Sequence, residues 1–193
     1  SDVCSSDLVD LDPQQSTSMA VGVLTPELTV GDALADGRAG VARDAVIPST
    51  WGRGAAILPS DATLEHRVAE TEAGSEQRLR RILAGVTHQY DLVALDCPPT
   101  LGEMTRNALH TASRAIVVAE PAYFSVRGAQ QAVEAVDLVR RQGNPTLQPA
   151  LIVVNRARTT VAEHRRRIEE LRAEFGTRVW DTLIPERNAI GQA

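Results

Sequence analysis

Three aspartates stand at the ends of two short apolar segments and could share one site. Asp10 and Asp12 lie in the sequence DLDPQ, and Asp96 lies in the sequence VALDCPP. Residues two apart in a strand point to the same face, so Asp10 and Asp12 project together unless the turn has already begun. Ligands of doubly wound α/β sheets bind beyond the carboxyl ends of the strands. Clustered carboxylates need a compensating cation, and the sequence therefore predicts a site for magnesium and nucleotide phosphates.

Each of these two motifs also has a purely structural interpretation. Asp-Pro often starts a turn, and an aspartate at the end of a strand can cap the helix that follows. The two motifs together, in this order and with Gly102 three residues after Pro99, favour the nucleotide site over the two structural interpretations.

The chain contains no lysine, because all 20 of its basic residues are arginine. Phosphoryl transfer depends on backbone amides and a lysine that hold the phosphates. A glycine-rich loop that ends in Lys-Ser or Lys-Thr is therefore excluded from these residues. We expect the chain as given not to hydrolyse ATP.

Composition indicates one globular domain without a membrane span. The 193 residues are 43% apolar and 23% charged, as in ordinary folded proteins. A net charge of −5 gives no general attraction to DNA or acidic membranes, so contact with a polyanion would need a local cluster of arginines. Neither a signal peptide nor an apolar run of about 20 residues is found. Cys4 and Cys97 lack metal-type spacing; we expect Cys97 to be buried as a small apolar side chain in a cytoplasmic protein.

Apolar runs alternate with segments of helical period along the chain. This alternation predicts an α/β fold with a doubly wound, mostly parallel sheet and helices on both faces. The expected strands are 55–58, 92–95, 115–119 and 151–154, with a shorter one near 179–184.

The clearest predicted helix runs from about Thr160 to Phe175. Thr160 and Glu163 have the spacing of a capping box, and Gly176 is placed to end the helix. His164 lies on the apolar stripe of this helix, where we expect a packed core histidine rather than a metal ligand. A second helix is predicted from about Ser125 to Arg141. We interpret the segment 28–54 as a loop-rich excursion on the surface, with a short helix near 32–35.

The first eight residues do not fit a central strand. A strand buried on both faces of a parallel sheet should be almost continuously aliphatic, but this segment reads SDVCSSDL. It resembles the translated adapter sequence that contaminates some assembled reads. We therefore expect residues 1–8 to be non-native or disordered and residues 9–193 to form a single partial domain; the alternative is a genuine polar arm.

The motifs resemble those of the ParA/MinD family, the deviant Walker-A branch of the P-loop NTPases, and specifically its ParA/Soj side. The string DLDPQ resembles the second motif of the family, and YDLVALDCPPTLG resembles its Walker B and switch region. The resemblance continues through EPAYFSVRG, VNRART and LIPER, and it covers residues 9–193.

This resemblance implies roles for individual residues. Asp12 would place the attacking water, Asp10 would lie near the magnesium shell, and Asp96 would hold Mg²⁺ through water. Gly102 would sense the γ-phosphate as a backbone donor. The residues that match the adenine contacts of the family are Asn155 and the Pro185 region, including Arg187.

The resemblance also implies a fragment that is cut at both ends. Family members have a first strand, a phosphate loop with two lysines and a first helix before the position of Asp10, and a further helical segment after Ala193. The first strand lies in the middle of the sheet in this topology. We therefore expect two strands with unpaired edges and a chain that is marginally stable or prone to aggregate.

Members of the family bind DNA without sequence preference, dimerise around ATP and Mg²⁺, and work with a ParB-like partner at the nucleoid. By the resemblance, Arg158 falls on one DNA-binding position of the family, and a second such position is Ala189 here, with Arg187 two residues before it. Arg165 and Arg166 lie away from the apolar stripe of the Thr160 helix, so the candidate DNA-binding residues are Arg158, Arg165, Arg166 and Arg187. An ordinary solvated helix face is the alternative interpretation of these arginines. MinD relatives attach to membranes through a C-terminal amphipathic helix, and by the resemblance that segment would lie beyond Ala193, so the sequence gives no expectation about membrane attachment.

Two other functions stay open at this point. One is another enzyme of the same fold group, such as a cobyrinate amidoligase or a cellulose-synthesis accessory ATPase, although neither explains DLDPQ as well. The other is a non-catalytic adaptor that binds DNA or a partner and has discarded the phosphate loop. The gene sequence upstream of Asp10 would distinguish an adaptor from a truncated ATPase.

Overall fold

Short strands of aliphatic residues form the framework of the structure, a computed structural model that describes residues 5–51, 54–64, 75–123 and 125–187. The chain divides into two compact units, Ser1–Thr111 and Ala112–Ala193. The buried hydrophobic residues are alanine, valine, leucine and isoleucine, with Met104 as the one exception among the described residues.

The first unit contains a four-stranded sheet in the order β2-β3-β1-β4. Strand β1 pairs in parallel with both β3 and β4, and β2 pairs antiparallel with β3. This order places β1 inside the sheet. The strands are β1 (Ser6–Asp10), β2 (Ile47–Pro48), β3 (Ala55–Leu58) and β4 (Leu92–Asp96).

Within the described residues of this unit, four α-helices accompany the sheet, and their apolar residues complete its core. Val30 and Leu34 of the second helix and Met104 and Ala108 of the fourth are buried in the same cluster as strand residue Val9. The helices are α1 (Ser16–Ala20), α2 (Val30–Asp36), α3 (Arg78–Ile82) and α4 (Glu103–Thr111).

The second unit is built on two parallel strands, β5 (Ile116–Ala119) and β6 (Leu151–Val154). Its helices are α5 (Ser125–Gln142) and α6 (Ala162–Phe175). The segment after α6 runs beside β6 and forms two isolated parallel bridges, one between Val179 and Ile152 of β6 and one between Pro185 and Ala157, which lies just beyond β6. No helix in the described ranges is long and apolar enough to cross a membrane.

The four longer predicted strands and both predicted helices are confirmed within one or two residues. The predicted end of α6 at Gly176 is also confirmed, since the Gly176 N–H donates to the Arg172 carbonyl. The capping box at its start is wrong, because Val161 is the N-cap and no side chain caps the helix. A genuine capping box instead joins Thr29 and Asp32 at the start of α2.

The short helix expected near 32–35 is confirmed as α2, but the interpretation of residues 28–54 as a surface excursion is wrong for the residues that are buried. Val30, Ala33 and Leu34 of α2, together with Ala42 and Ala45 of the following 3₁₀ turn, belong to the buried core of the first unit. Periodicity missed this because each helical piece is only five to seven residues long. Over so few residues, a buried face cannot repeat often enough to be recognised.

The ordered structure begins earlier than the predicted boundary at residue 9. Ser6, Asp7 and Leu8 are part of β1 and pair in register with Ala55, Ala56 and Ile57 of β3. They are therefore structured, while their non-native origin stays a prediction. Residues 1–4 lie outside the described residues.

Strands β4 and β5 each have an unpaired side among the described residues. Strand β4 pairs with β1 alone, and β5 pairs with β6 alone. Apolar side chains on these strands are open to solvent: Leu92 is 60% exposed, Ile116 is 62% exposed and Val118 is 63% exposed. These observations agree with the expectation of two strands with unpaired edges, which are sites where aggregation begins.

Asp7 is a buried carboxyl group in the middle of the first sheet. Only 2% of the residue is exposed, and neither carboxylate oxygen has a hydrogen-bond partner. Burial raises the pKa of Asp7 from 3.8 to about 6, and the nearby backbone N–H of Leu8 opposes this rise only in part. An unpaired buried charge opposes folding, so this residue weakens the strand that it occupies.

Replacing Asp7 by valine is expected to raise the free energy of unfolding at pH 7.5 by about 2 to 3 kcal/mol. Because the folded-state pKa lies above 3.8, the folded chain holds the proton more tightly than the unfolded chain does. The wild-type chain should therefore gain stability relative to Asp7→Val as the pH falls from 7 to 4. Urea unfolding of both chains across this range measures the difference, and Asp7→Asn is the non-titrating control. A difference that does not change with pH would contradict the assignment.

Candidate functional site

Asp10 ends β1 and holds the turn that follows it. Its Oδ1 accepts a hydrogen bond from the Asp12 N–H at 3.0 Å. Its Oδ2 accepts from the N–H of Ser18 at 2.9 Å and from the Ser18 hydroxyl at 2.7 Å. Asp10 is fully buried. Its described hydrogen bonds thus come from its own turn and from α1, and its predicted place near a magnesium shell stays a prediction.

Ser18 connects this turn to the next strand. Besides donating to Asp10, the Ser18 hydroxyl accepts the N–H of Ser60, just beyond β3, at 3.2 Å. Asp10, Ser18 and Ser60 are all buried. One hydroxyl group therefore fixes the end of β1, helix α1 and the end of β3 relative to one another.

Asp12 lies in the turn itself and is only half-buried. Its Oδ1 accepts the Gln14 N–H at 3.0 Å, and its carbonyl accepts the Gln15 N–H at 2.9 Å. Pro13 fits the second position of such a turn because its φ angle is fixed. Gln15 then adopts the left-handed conformation, with a φ of 59°, before α1 begins. The turn thus brings the Asp12 carboxylate out of the sheet toward solvent.

Asp96 stands opposite Asp10 at the ends of two paired strands. The register of β1 and β4 places the two residues side by side, and the Leu11 N–H donates to the Asp96 carbonyl at 2.8 Å. The hydroxyl of Thr17 in α1 donates to the Asp96 carboxylate. Asp96 is half-buried. The sheet edge therefore brings the DLDPQ turn and the Walker-B-like aspartate together, as the sequence predicts.

The oxygen atoms at this edge fit magnesium better than a softer metal. The carboxylate of Asp96, the hydroxyl of Thr17 and the carboxylate of Asp12 are hard donors of the kind that Mg²⁺ prefers. Within residues 5–51, 54–64, 75–123 and 125–187, no three histidine, cysteine, aspartate or glutamate side chains form a metal-binding group. Magnesium would therefore need oxygen ligands from water or a nucleotide in addition to those of the chain.

The residues after Asp96 lead into α4. The Gly102 carbonyl accepts the Arg106 N–H at 3.1 Å, so Gly102 lies at the start of that helix. A Cβ atom at Gly102 would meet only Thr100 Oγ1, at an ordinary 3.5 Å. The fold itself thus does not require glycine there. Cys97 is half-buried, as expected for a packed thiol, and desolvation followed by the charge of Asp96 raises its pKa to about 12.

The second unit carries the predicted adenine contacts at the end of β6. The Asn155 N–H donates to the Ala119 carbonyl at 2.8 Å, and Asn155 Oδ1 accepts the Arg156 N–H at 2.9 Å. Arg156 has a φ of 55°, which is uncommon for a residue other than glycine. This turn directs the chain away from the sheet between Asn155 and Ala157.

A cavity of about 260 Å³ opens beyond the ends of β5 and β6. Arg156 forms ion pairs with Glu120 at 3.3 Å and with Glu186 at 3.1 Å. Glu186 also pairs with Arg158. Pro185, which precedes Glu186, pairs with Ala157 in a parallel bridge. The residues that line the cavity are Glu120, Pro121, Ala122, Arg156, Arg158, His164 and Glu186.

The predicted DNA-binding arginines all lie in the second unit and are exposed. Arg165 donates to the Thr159 carbonyl at 2.8 Å, and Arg166 pairs with Glu170 at 3.1 Å. Arg187 is exposed beyond the bridge at Pro185. Arg167, which sequence reasoning did not select, is largely buried, pairs with Glu163 and Glu170, and lies 4.9 Å from the centre of the Tyr123 ring.

The expectation that His164 is a packed core histidine is wrong. The residue is half-buried, lines the cavity, and accepts the Arg158 N–H on Nδ1 at 3.1 Å. Sequence reasoning also missed Glu120, Arg156 and Glu186 as parts of a site. The sequence did contain a signal, in the strings EPAYF, VNRART and LIPER. In each string the missed residue comes directly after a strand end or after the residue that flanks a strand end.

Solved structures of other proteins share this fold. The chain superimposes with a TM-score of 0.85 on cobyrinic acid a,c-diamide synthase from Mycobacterium smegmatis, crystallised with an ATP analogue and magnesium. The two sequences are 26% identical over 95% of this chain and 75% of that one. McdA from Cyanothece, in complex with ATP, gives a TM-score of 0.85 at 17% identity, over 98% of this chain and 75% of that one.

Sequence comparison defines the family. A family model for the AAA domain matches residues 7–149. Soj from Bacillus subtilis is 30% identical over 96% of this chain and 74% of its own length, and ParA from Caulobacter vibrioides is 31% identical over 96% and 71%. The chain belongs to the ParA/Soj family of partition ATPases. It spans only 61% of another relative, the uncharacterized protein Rv1708 of Mycobacterium tuberculosis, to which it is 32% identical over 96% of its own length.

Replacing Ser18 by alanine is expected to lower the free energy of unfolding by about 1 to 3 kcal/mol, because it removes one buried donor and one buried acceptor. Ser16→Ala is the matched control, since Ser16 lies in the same helix but is exposed. Urea unfolding of the three chains measures the effect. Equal stability of the Ser16 and Ser18 variants would show that the hydroxyl network is not needed.

Proposed function

We propose that this chain is part of a ParA-type ATPase that binds magnesium and ATP at the shared ends of β1 and β4. The observation that carries the proposal is the register of Asp10 with Asp96, which puts the DLDPQ turn beside the Walker-B-like aspartate. Membership of the ParA/Soj family supports the same assignment. A relative crystallised with an ATP analogue and magnesium also supports it.

Each acidic residue has a distinct role in this proposal. Asp96 holds Mg²⁺ through water, with the Thr17 hydroxyl beside it. Asp12, which is half-buried in the turn, would orient the attacking water in an ATPase that also holds the phosphates. Asp10 has three hydrogen bonds from its surroundings and therefore positions the turn. Gly102 offers a backbone N–H to the γ-phosphate, a role favoured because the fold does not itself require glycine there.

The adenine base and the phosphate groups of ATP need different contacts from the chain. Asn155, Pro185 and Arg187 are the proposed contacts to adenine. These 193 residues contain no lysine that could hold the phosphates. Hydrolysis by the chain as given is therefore not expected, and no catalytic step is assigned to it.

The exposed arginines of the second unit support a proposed contact with DNA. Arg158, Arg165, Arg166 and Arg187 would bind phosphates without reading bases, since backbone contacts carry no sequence information. A complete protein would dimerise around ATP, associate with the nucleoid in the cytoplasm, and be stimulated by a ParB-like centromere-binding partner. The names of the Soj and ParA relatives support this role in partition.

One observation favours a second candidate function. The similarity to cobyrinic acid a,c-diamide synthase of M. smegmatis, at 26% identity over 95% of this chain, is compatible with an ATP-dependent amidation. This candidate requires no contact with DNA. Binding of DNA would therefore favour the partition role, and failure to bind it would favour the synthase.

Magnesium and ADP together are expected to shift the amide NMR signals of residues 14–18, Cys97 and 100–102 in the ¹⁵N-labelled chain. Asp96→Ala should remove the part of these shifts that depends on magnesium, because Asp96 is the proposed magnesium contact. Asp44→Ala, a change at an exposed acidic residue of the same unit, is the matched control. Identical shifts with and without magnesium would contradict the site. DNA binding without any nucleotide shift would favour the adaptor.

Replacing Arg158, Arg165 and Arg166 together by alanine is expected to weaken binding of a random duplex DNA roughly tenfold or more at low salt. The slope of log K against log salt should fall by up to about three, since each phosphate contact contributes about 0.9. Fluorescence anisotropy at several salt concentrations measures both quantities. A triple alanine variant at the exposed Arg80, Arg81 and Arg141 is the control. An equal loss in the control would mean that net charge, and not this surface, determines binding.

A further inference from the structure

Two arginines at the end of β6 are already bound by carboxylates of the same unit. Glu186 Oε1 accepts from Arg156 Nη2, and Glu186 Oε2 accepts from Arg158 Nε. Glu120 Oε1 accepts from Arg156 Nη1 at 3.3 Å. Both oxygens of Glu186 are therefore occupied by guanidinium groups, in the same way as two oxygens of a bound phosphate would be.

Glu186 is held in this position by the backbone around it. The Glu186 N–H donates to the Ala157 carbonyl at 3.2 Å, and the Ala157 N–H donates to the Ile184 carbonyl at 2.9 Å. The side chain of Glu186 is 21% exposed, whereas that of Arg158 is 57% exposed. The carboxylate is therefore more buried than the guanidinium groups that it binds, and all three side chains line the cavity.

We propose that Glu186 is an internal competitor for phosphate, and that the phosphate backbone of a nucleic acid binds Arg156 and Arg158 by displacing it. This inference rests on the proposed DNA-binding function and adds Arg156 to the surface. It also identifies Glu186 as the residue that limits the affinity of that surface for phosphate. In the structure, Arg156 and Arg158 are both bound by the competitor, Glu186.

The arginines would stay in place after Glu186 is displaced. Arg156 keeps its ion pair with Glu120, and its N–H keeps the hydrogen bond to Asn155 Oδ1. The backbone of Arg158 is fixed by the bond from its N–H to His164 Nδ1 at 3.1 Å. Little ordering of the backbone would therefore be needed when a phosphate binds, which favours rapid exchange between carboxylate and phosphate.

The ion pairs of Glu186 with Arg156 and Arg158 form a carboxylate clamp. Protonation of Glu186 does not break this clamp at neutral pH. The hydrogen bond from Arg158, and then the one from Arg156, hold the pKa of Glu186 below its ordinary value against the opposing effect of desolvation. Glu120 and then Glu186 raise the pKa of Arg156. The groups remain charged, so a second anion at high local concentration is what can separate them.

Glu186→Gln tests the inference in the 193-residue chain. Glutamine keeps the size of the side chain but cannot form the ion pairs. Affinity for a fluorescent duplex DNA of random sequence is expected to rise about three- to tenfold at low salt, with a salt slope steeper by about one to two. Glu134→Gln is the matched control, because it changes the net charge equally at an exposed position on α5 that does not line the cavity. Circular dichroism and urea unfolding check that each variant is folded.

Three results separate the possible explanations. In Glu186→Gln with Arg158→Ala, the gain in affinity should be lost, which would tie it to the released arginine. Equal gains in the Glu134 and Glu186 variants, or no gain in either, would overturn the inference while leaving DNA binding intact. If neither the wild-type chain nor Glu186→Gln binds DNA, the proposed DNA-binding function fails and this inference fails with it.

The clamp also has a readout that does not need DNA. The Nε–H signal of Arg158 in a ¹⁵N spectrum should be protected from exchange in the wild-type chain and lose that protection in Glu186→Gln. Inorganic pyrophosphate should shift this signal at lower concentration in Glu186→Gln than in the wild-type chain. An Arg158 signal that is the same in both chains would overturn the proposed role of Glu186.

Discussion

The parallel pairing of β1 with β4 is the constraint on which the candidate magnesium site depends. Five residue pairs run from Ser6 with Leu92 to Asp10 with Asp96. A slip of one residue would turn every side chain of β1 to the opposite face of the sheet and remove Asp10 from its contacts with Ser18. The register thus determines both where the turn begins and which carboxylate lies beside the Walker-B-like aspartate.

The same principle arranges the second unit. Pairing of Ala119 with Val154 places the residues that follow these two strands, Glu120 and Asn155, next to each other. Arg156 then turns back through a left-handed conformation and reaches Glu120. In both units, parallel strands end together and charged side chains gather beyond those ends. This is where α/β sheets bind ligands.

The sequence predicted the strands and the strand-end aspartates because both signals are local. An aliphatic run identifies a buried parallel strand, and the motif that follows it identifies the turn. The burial of residues 30–45 was missed because it comes from contacts with distant strands and helices rather than from local periodicity. His164 was assigned to the core because its spacing matches the apolar stripe. In the structure it lines the cavity and accepts a hydrogen bond from the Arg158 N–H. The ion pairs of Glu186 join residues 28 and 30 positions apart, a separation that single-sequence patterns do not reach.

The separation of roles among the aspartates follows from how each carboxylate is satisfied. Asp10 accepts three hydrogen bonds in a fully buried position, so its charge is compensated and it serves as a fixed point of the turn. Asp12 is half-buried and accepts a turn N–H, which leaves it within reach of solvent. Asp7 is buried with no partner at all for its carboxylate, and its pKa rises accordingly. These three aspartates lie within six residues of one another. Their roles differ because of the hydrogen bonds that each carboxylate accepts and not because of their distance along the chain.

The absence of lysine affects the two sites in opposite ways. A compact ammonium group is what usually holds the phosphates of ATP, and no residue of this chain can supply it. The planar guanidinium group, by contrast, can bind two carboxylates at once, as Arg156 does with Nη1 on Glu120 and Nη2 on Glu186. A lysine at position 156 could not span both acids in that fixed geometry. The arginine at position 156 is therefore what makes the carboxylate clamp of the second unit possible.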